Sequence, residues 1–290
     1  MINKENLKKV LNFLEFTHRK EIYTYKNTIL GYTIVVDFAG KGKITYPDGV
    51  IVNDETTSNL TKNENFVVLE CVYRLLKLGY KPECIELEPK WEAPHDIGGG
   101  GKADVLVKDN AGESFLLIEC KTWGKEFDNY WKKTEQDGDQ LFFYAVQKRS
   151  TKYLCMYASN WDNDELVRKS NIISLKDNTA TLESFDEPIS FEKANDKSSL
   201  FAAWNITYGK YSFKNGIFED TCIPYLIEEK GRDISNITEI GHDDIQKKYH
   251  EFTTILRQHN VSGRENAFDK LVNLFLAKIV DEIRNSDKLQ

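Results

Sequence analysis

The chain has 290 residues, of which 40% are hydrophobic and 12% aromatic, and its formal net charge is −7. This composition supports a sizeable core in one large or two small domains, and it argues against an autonomous protein that grips DNA by its phosphates, since such proteins are usually basic. No apolar run can cross a bilayer, the first residues lack the pattern of a signal peptide, and five scattered cysteines contain no CxxC pair. We therefore expect a cytoplasmic protein with reduced thiols, no zinc site and no membrane partner.

The first quarter of the chain predicts one helix followed by short strands. Residues 4–18 have the leucine and valine spacing of an amphipathic helix. Residues 20–55 then alternate short β-rich runs with turns that contain glycine or proline. We expect these runs to form a small antiparallel meander that extends the main sheet.

The clearest helical pattern is that of residues 63–78, NENFVVLECVYRLLKL. Asn63 can cap this helix, and Gly79 follows its end. Glu64 projects into the apolar face in the first turn, where it serves either a functional site or the helix dipole. Glu70 lies off that face and is expected to be solvated.

A strand at residues 84–88 and a glycine-rich loop lead to two strand-like runs, residues 102–109 and 114–122. The turn between the two runs is centred between residues 111 and 112, so residues whose numbers sum to 223 face each other. This register places Asp104 opposite Glu119, with Cβ atoms roughly 4.5–5.5 Å apart. Lys121 shares the face of Glu119, because side chains alternate along a strand.

Two carboxylates and an ammonium group thus lie among apolar residues that cover both faces of the hairpin. Such charges are costly unless they are paired, hydrogen-bonded or bound to a metal. One interpretation is a site for a hard divalent cation such as Mg²⁺, which relieves the repulsion between facing carboxylates. The other is a buried ion-pair cluster of Asp104, Glu119 and Lys121 that only shapes the sheet.

Residues 124–150 predict a helix with a break at residues 137–139. Gln140 and Tyr144 are four residues apart and share a face of its second half. A buried strand at residues 151–158 follows. The order of helix, three strands, helix and strand predicts an α/β (α+β) fold with a mixed sheet flanked by helices, and the length of the last connection allows a parallel crossover.

Basic residues after the hairpin are candidates for a phosphate groove, although a scattered solvated face is the alternative. They are Lys125, Lys132, Lys133, Arg149 and Lys152.

The C-terminal part predicts a short helix at residues 196–207 and two longer helices at 242–259 and 264–283. The last helix is apolar over a wide sector, so we expect it to dock onto another chain or a further domain. We therefore predict a domain at residues 1–235, with an N-terminal β extension at 20–55, and a helical segment at 236–290.

The motif formed by Asp104 and Glu119-Cys120-Lys121 resembles the D…ExK core of the PD-(D/E)XK nucleases. The predicted element order over residues 61–158 resembles the restriction-endonuclease-like αβββαβ core of that superfamily. Glu64 and the spacing Gln140-x-x-x-Tyr144 resemble, more narrowly, the nuclease domain at the N-terminus of type I restriction endonuclease R subunits. The C-terminal helices resemble the region that leads into the N6-adenine methyltransferase domain of single-chain restriction–modification proteins.

This resemblance implies hydrolysis of phosphodiester bonds in double-stranded DNA with Mg²⁺, for which Mn²⁺ can substitute. Asp104, Glu119 and the backbone carbonyl of Cys120 would hold the metal. Lys121 would orient the attacking water and stabilise charge on the phosphate, and Glu64 would bind metal through a water or position a second ion.

Two further residues receive roles from the resemblance: Gln140 and Tyr144 would hold Lys121, the scissile strand or a base. The implied partners are methyltransferase and specificity modules, in the same longer chain or as subunits. Two alternatives stay open, namely a non-catalytic docking module of a restriction assembly and a DNA repair or recombination nuclease of the same superfamily.

Overall fold

A computed structural model of the chain describes residues 1–28, 30–90, 102–109, 111–177, 190–208, 212–214 and 272–277. The chain divides into two compact units, Met1–Tyr225 and Leu226–Gln290. The described part of the second unit is helical, at residues 272–277. The predicted boundary at residues 235 and 236, the glycine-rich run and the helix at 242–259 lie outside the described residues.

The described part of the first unit contains two sheets flanked by helices, which confirms the predicted α/β class. Its helices are α1 (Leu7–Phe13), α2 (Asn63–Lys77), α3 (Lys125–Asp137), α4 (Asp139–Gln147) and α5 (Lys197–Ala203). Its strands are β1 (Thr17–Arg19), β2 (Ile22–Asn27), β3 (Tyr32–Asp37), β4 (Lys43–Thr45), β5 (Ile51–Val52), β6 (Ile85–Leu87), β7 (Val105–Lys108), β8 (Ser114–Cys120), β9 (Tyr153–Asp162), β10 (Glu165–Ser174) and β11 (Ser212–Lys214). A 3₁₀ turn, Pro82–Cys84, precedes β6, and a π-helical turn, Trp204–Tyr208, follows α5.

The larger sheet has the strand order β11-β10-β9-β8-β7-β6-β5. Strands β6, β7 and β8 are consecutive and antiparallel, whereas β8 and β9 are parallel and are joined through α3 and α4. The parallel crossover that the connection length allows is therefore present. Because β8 is paired on both edges and covered on both faces, all seven of its residues are buried.

The N-terminal meander does not extend the main sheet, so this part of the prediction is wrong. Strands β1 to β4 form a separate four-stranded antiparallel sheet, and of the predicted β extension only β5 joins the larger sheet, parallel to β6. The burial of β3 alternates strictly between buried and half-buried residues. An antiparallel sheet with one apolar face buries that face against another part of the protein, and it does not need to be a continuation of the main sheet.

The element that the small sheet covers is α2. The ring of Tyr73 in α2 packs edge-on against Tyr25 of β2, with ring centroids 4.9 Å apart. The other side of α2 contacts β8 and β9. Because both sides of the helix are covered, every residue from Asn65 to Leu76 is buried.

The ends of two helices differ from the prediction. Helix α1 ends at Phe13, well before residue 18, because Glu15 adopts a φ of 65° that turns the chain towards β1. Helix α2 begins at Asn63 itself, and the residue at its N-cap position is Lys62, which makes no side-chain cap. The predicted capping role of Asn63 is therefore wrong.

The predicted helix break is present at Gly138, which separates α3 from α4. Its φ is +80°, and a Cβ atom added there would lie 2.9 Å from the ring of Phe142. Both the backbone conformation and the close contact require glycine at this position. The break turns α4 onto the large sheet, where Leu141, Phe142 and Tyr144 are buried.

The predicted strand at residues 151–158 corresponds to β9, which is longer than predicted and forms a long hairpin with β10. The strands pair from Tyr153 with Ser174 to Asp162 with Glu165. Asn163 and Asp164 form the turn with φ values of 49° and 60°, as a type I′ turn requires. The polar start of β10 lacks the apolar alternation by which strands are predicted.

Among the described residues, no helix is both long and apolar enough to cross a membrane.

Candidate active site

The hairpin of β7 and β8 has the predicted register. Val105 pairs with Ile118 and Leu106 with Leu117, and both pairs sum to 223; the register shifts by one residue at Lys108. Asp104 directly precedes β7, and its Oδ2 accepts a hydrogen bond of 2.7 Å from the backbone N–H of Cys120. The structure therefore brings Asp104 beside the end of β8 that carries Glu119.

Lys121 joins the hairpin to the first turn of α2. Its ammonium group donates to Oε1 of Glu119 at 2.7 Å and to Oε1 of Glu64 at 2.9 Å. Its backbone N–H donates to the carbonyl oxygen of Tyr157 at 2.8 Å, which continues the pairing of β8 with β9. Glu64 therefore contacts this cluster, and it also lies in the first turn of α2, where the helix dipole favours a carboxylate.

The cluster holds more negative than positive charge. Glu119 and Lys121 are 5% and 6% exposed, and the Glu64 side chain is 29% exposed. With Asp104 nearby, the cluster holds three carboxyl groups and one ammonium group, so when fully ionised it carries two excess negative charges. Such a charge in a buried setting strongly favours either proton uptake or a bound cation.

The pKa values of the two central carboxyl groups are raised. Burial, followed by repulsion from Glu119, raises the pKa of Asp104 well above its ordinary value. Burial raises the pKa of Glu119 to about 7, although Lys121 opposes this change. Burial alone would lower the pKa of Lys121, but the three neighbouring carboxylates raise it, so its ammonium group is charged at neutral pH.

Tyr144 joins the cluster from α4. Its hydroxyl donates to the carbonyl oxygen of Lys102 at 3.0 Å, and burial and the nearby Glu119 carboxylate raise its pKa. The predicted proximity of Tyr144 to the site is therefore present. Gln140 lies one turn earlier, and its buried Oε1 accepts no hydrogen bond from the described residues.

Sequence reasoning missed two neighbours of Asp104. Glu88 directly follows β6 and is 3% exposed. Its backbone N–H donates to the carbonyl oxygen of Asp104 at 3.0 Å, and its Oε1 contacts the Thr56 hydroxyl. Tyr46 follows β4, and burial and the charges of nearby groups that include Asp104 raise its pKa. The acidic end of a predicted strand was a signal for Glu88, but no pattern indicated Tyr46.

Glu70 is the clearest error among the predicted surface residues. It is 1% exposed, and its carboxylate accepts hydrogen bonds of 2.7 Å from the Tyr157 hydroxyl and from Nε of Arg168. The small sheet and the β9–β10 hairpin enclose the side of α2 that a single-sheet arrangement would leave in water. Glu70 is thus an internal ion-pair partner that ties α2 to β9 and β10.

The residues at the end of the hairpin fit a hard divalent cation. Asp104, Glu119 and the Cys120 carbonyl supply oxygen donors, which Mg²⁺ and Mn²⁺ prefer. Oε2 of Glu119 is buried and has no hydrogen-bond partner among the described residues. In that part of the chain, no group of three or more His, Cys, Asp or Glu side chains is arranged to hold a metal ion. An ion here would therefore depend on two carboxylates, the backbone carbonyl and water.

The substitution Asp104→Asn should stabilise the metal-free protein at pH 8. The pKa of Asp104 is raised in the folded state, so at a pH above its ordinary pKa of 3.8 this group lowers the free energy of unfolding. The loss is on the order of 1 kcal/mol for each unit by which the pKa is raised. Asparagine removes the charge but keeps an oxygen that can accept from the Cys120 N–H, which alanine would not. We expect a higher midpoint of urea unfolding at pH 8 and no gain near pH 3, where the carboxyl group is protonated in both states. A lower midpoint at pH 8 would contradict the repulsion.

Comparison with known proteins does not assign the chain to a family. The chain matches no protein-family model, and none of the curated proteins matches it. The geometry of the cluster formed by Glu64, Asp104, Glu119 and Lys121 is therefore the main basis for a functional proposal.

Proposed function

We propose that the chain is a metal-dependent endonuclease that hydrolyses phosphodiester bonds in double-stranded DNA, as part of a cytoplasmic restriction–modification system. The observation that carries this proposal is the cluster at the end of β7 and β8, in which Asp104 and Glu119 lie together with Lys121 in an apolar setting. The motif resembles the D…ExK core of the PD-(D/E)XK nucleases, and the order of α2, β6, β7, β8, α3, α4 and β9 agrees with that interpretation.

In this proposal Asp104, Glu119 and the Cys120 carbonyl hold Mg²⁺, or Mn²⁺ in its place. The bound ion supplies a Lewis acid for the phosphoryl oxygen and a water of lowered pKa. Lys121 stays charged because carboxylates surround it, and it donates hydrogen bonds where negative charge develops on the phosphate. Glu64 shares the Lys121 ammonium group and restrains its position.

Tyr144 supports the site from the α4 side, since its hydroxyl binds the backbone of Lys102 near Asp104 and lies beside Glu119. Gln140 presents a buried amide oxygen without a partner in the described residues, which makes it a candidate to accept a hydrogen bond from a group inside the site such as Lys121. The net charge of −7 favours delivery to DNA by methyltransferase or specificity modules, in a longer chain or as separate subunits.

Calorimetric titration with Mn²⁺ or Mg²⁺ tests the proposal at its first step. The wild-type protein and the exposed control Glu113→Ala should bind the ion, and Glu119→Ala should not. A cleavage assay on supercoiled and linear duplex DNA with the same three proteins then tests hydrolysis. Failure of the wild type to bind metal, with and without DNA, would contradict the endonuclease.

A non-catalytic docking module is the second candidate, because one observation favours it. The Lys121 ammonium group already bridges Glu119 and Glu64, as a purely structural ion pair would. Such a module would bind no metal at the hairpin and would cleave no DNA. The titration above therefore separates the two functions.

The affinity for metal should rise with pH. Because the pKa of Glu119 is about 7 in the metal-free protein, a proton must leave this group before its carboxylate can bind an ion. We expect the association constant for Mn²⁺ to increase by about tenfold per pH unit between about pH 5 and 7, or more steeply if Asp104 also releases a proton, and to flatten above. Glu113→Ala should keep this profile, and an affinity that is constant across this range would contradict it.

The stability of the metal-free protein should follow the opposite trend. A carboxyl group whose pKa is raised in the folded state from 4.5 to about 7 binds its proton more tightly when folded. Its contribution to the free energy of unfolding is therefore largest below about pH 4.5 and is lost as the pH rises to about 7. Urea unfolding of Glu119→Gln, compared with the wild type across this range, isolates that contribution.

A further inference from the structure

A shallow groove runs along the outer face of α3, directly beside the site. It encloses about 620 Å³ and is lined by Glu126, Asn129, Tyr130, Lys132, Lys133 and Gln136. We call this surface the α3 groove. Tyr130 connects it to the site, because its ring centroid lies 4.7 Å from the ammonium group of Lys121 and 5.1 Å from that of Lys133. The groove therefore begins where the proposed scissile phosphate would lie.

Two carboxylates in the first turn of α3 are engaged elsewhere. Glu126, the only acidic residue among the lining residues, contacts the hydroxyl and the backbone N–H of Thr122. Asp128 forms an ion pair of 2.7 Å with Lys169. The ion pair offsets the charge of Asp128, and the two hydrogen bonds hold the Glu126 carboxylate towards Thr122.

The two lysines of the groove are available for an anion. Lys132 and Lys133 are exposed, and neither forms an ion pair with any of the described residues. Asn129 and Gln136 add amide groups that can donate hydrogen bonds. By contrast, Arg149, another basic residue singled out from the sequence, donates to the carbonyl oxygens of Phe191 and Glu192 at 3.3 Å and so stabilises a neighbouring loop.

We propose that the α3 groove binds backbone phosphates of the DNA strand that passes over Lys121, with Lys132 and Lys133 each neutralising one phosphate. This inference rests on the proposed function and deepens it by assigning the surface that positions the duplex. Lysine, asparagine, glutamine and tyrosine side chains are common donors to DNA phosphates, and such contacts fix the position of DNA without reading its sequence. The groove thus supplies local affinity in a protein whose overall charge opposes DNA binding.

The test is the salt dependence of duplex binding by the full chain. Fluorescence anisotropy with a labelled DNA duplex, in chelator to prevent cleavage, gives the binding constant at salt concentrations from about 50 to 200 mM. The variant is Lys132→Gln with Lys133→Gln. The matched control is Lys26→Gln with Lys41→Gln, which removes the same charge from two exposed lysines in and beside the small sheet.

Loss of two phosphate contacts should reduce the magnitude of the slope of log K against log salt by about 1.8, since each contact contributes about 0.9. The control pair should leave the slope at the wild-type value. Affinity for Mn²⁺, measured by calorimetry, should be unchanged in both double variants, which also shows that each is folded.

An unchanged slope in the Lys132→Gln, Lys133→Gln variant would overturn the inference, as would an equal reduction in the control. A wild-type protein that binds Mn²⁺ but no duplex would also overturn it, while the proposed metal site would stand. A wild-type protein that binds neither would overturn the proposed function as well. The two failures are therefore distinguishable.

Discussion

Replacement of Lys121 by alanine should lower the rate of metal-dependent cleavage by about 10²–10³-fold while metal binding persists. The ammonium group is the one positive charge in contact with both Glu119 and Glu64 among the described residues, and its proposed role is to stabilise charge that develops on the phosphate. Removal of a single such donor typically lowers the rate by about 10²–10³-fold. Lys121 also competes with a metal for Oε1 of Glu119, so the variant should bind Mn²⁺ at about pH 8 at least as tightly as the wild type.

The matched control for this variant is Lys108→Ala. Lys108 ends the neighbouring strand β7 and forms an ion pair with Glu86, so its loss removes the same charge from the same hairpin. Cleavage by the control should stay near the wild-type rate. Unchanged cleavage by a well-folded Lys121→Ala variant would contradict the site, and joint loss of cleavage and metal binding would show that Lys121 is needed only for the structure of the cluster.

Replacement of Glu70 by alanine should cause the largest loss of stability among these substitutions. It would leave the Tyr157 hydroxyl and the Arg168 guanidinium without their carboxylate partner inside the protein. Loss of one member of a buried ion pair typically costs about 3–5 kcal/mol, and the 22% exposure of the Arg168 side chain favours the lower end of that range. Urea unfolding at neutral pH measures the change.

Two further variants make this measurement specific. Glu70→Gln keeps an acceptor for Tyr157 and should cost less than Glu70→Ala. Glu21→Ala breaks an exposed ion pair with Lys8 and should have little effect, since water screens and solvates both partners. If Glu70→Ala lost no more stability than Glu21→Ala, the internal network of α2 with β9 and β10 would be contradicted.

The hydrogen bonds of Glu70 also connect α2 to the cluster that contains Lys121. Tyr157 binds Glu70 through its hydroxyl and accepts the backbone N–H of Lys121 through its carbonyl oxygen. Glu64 lies on the same helix as Glu70, six residues earlier. Glu70 therefore helps to hold α2 at the distance from which Glu64 can reach Lys121.

Local sequence signals were sufficient for the central hairpin. The turn signal in the sequence at residues 110–112 predicts the pairing of Val105 with Ile118 and of Leu106 with Leu117, because register in a hairpin depends on the position of its turn. The helix break at Gly138 and the shared face of Gln140 and Tyr144 follow from local rules in the same way. These features involve residues close in sequence, whose geometry the backbone alone constrains.

The sequence by itself thus determined the α/β class and the presence of Asp104 and Glu119 in one cluster, and it allowed the parallel crossover. Only the tertiary structure decided that Glu64 reaches Lys121, that Glu70 is internal, and that the meander is a separate sheet. The physical reason is that apolar periodicity reports whether a side of a helix or strand is buried against one neighbour. Apolar periodicity carries no information on a second layer of structure that covers the opposite side. Here the small sheet and the β9–β10 hairpin cover the polar side of α2, and Arg168 pairs with Glu70.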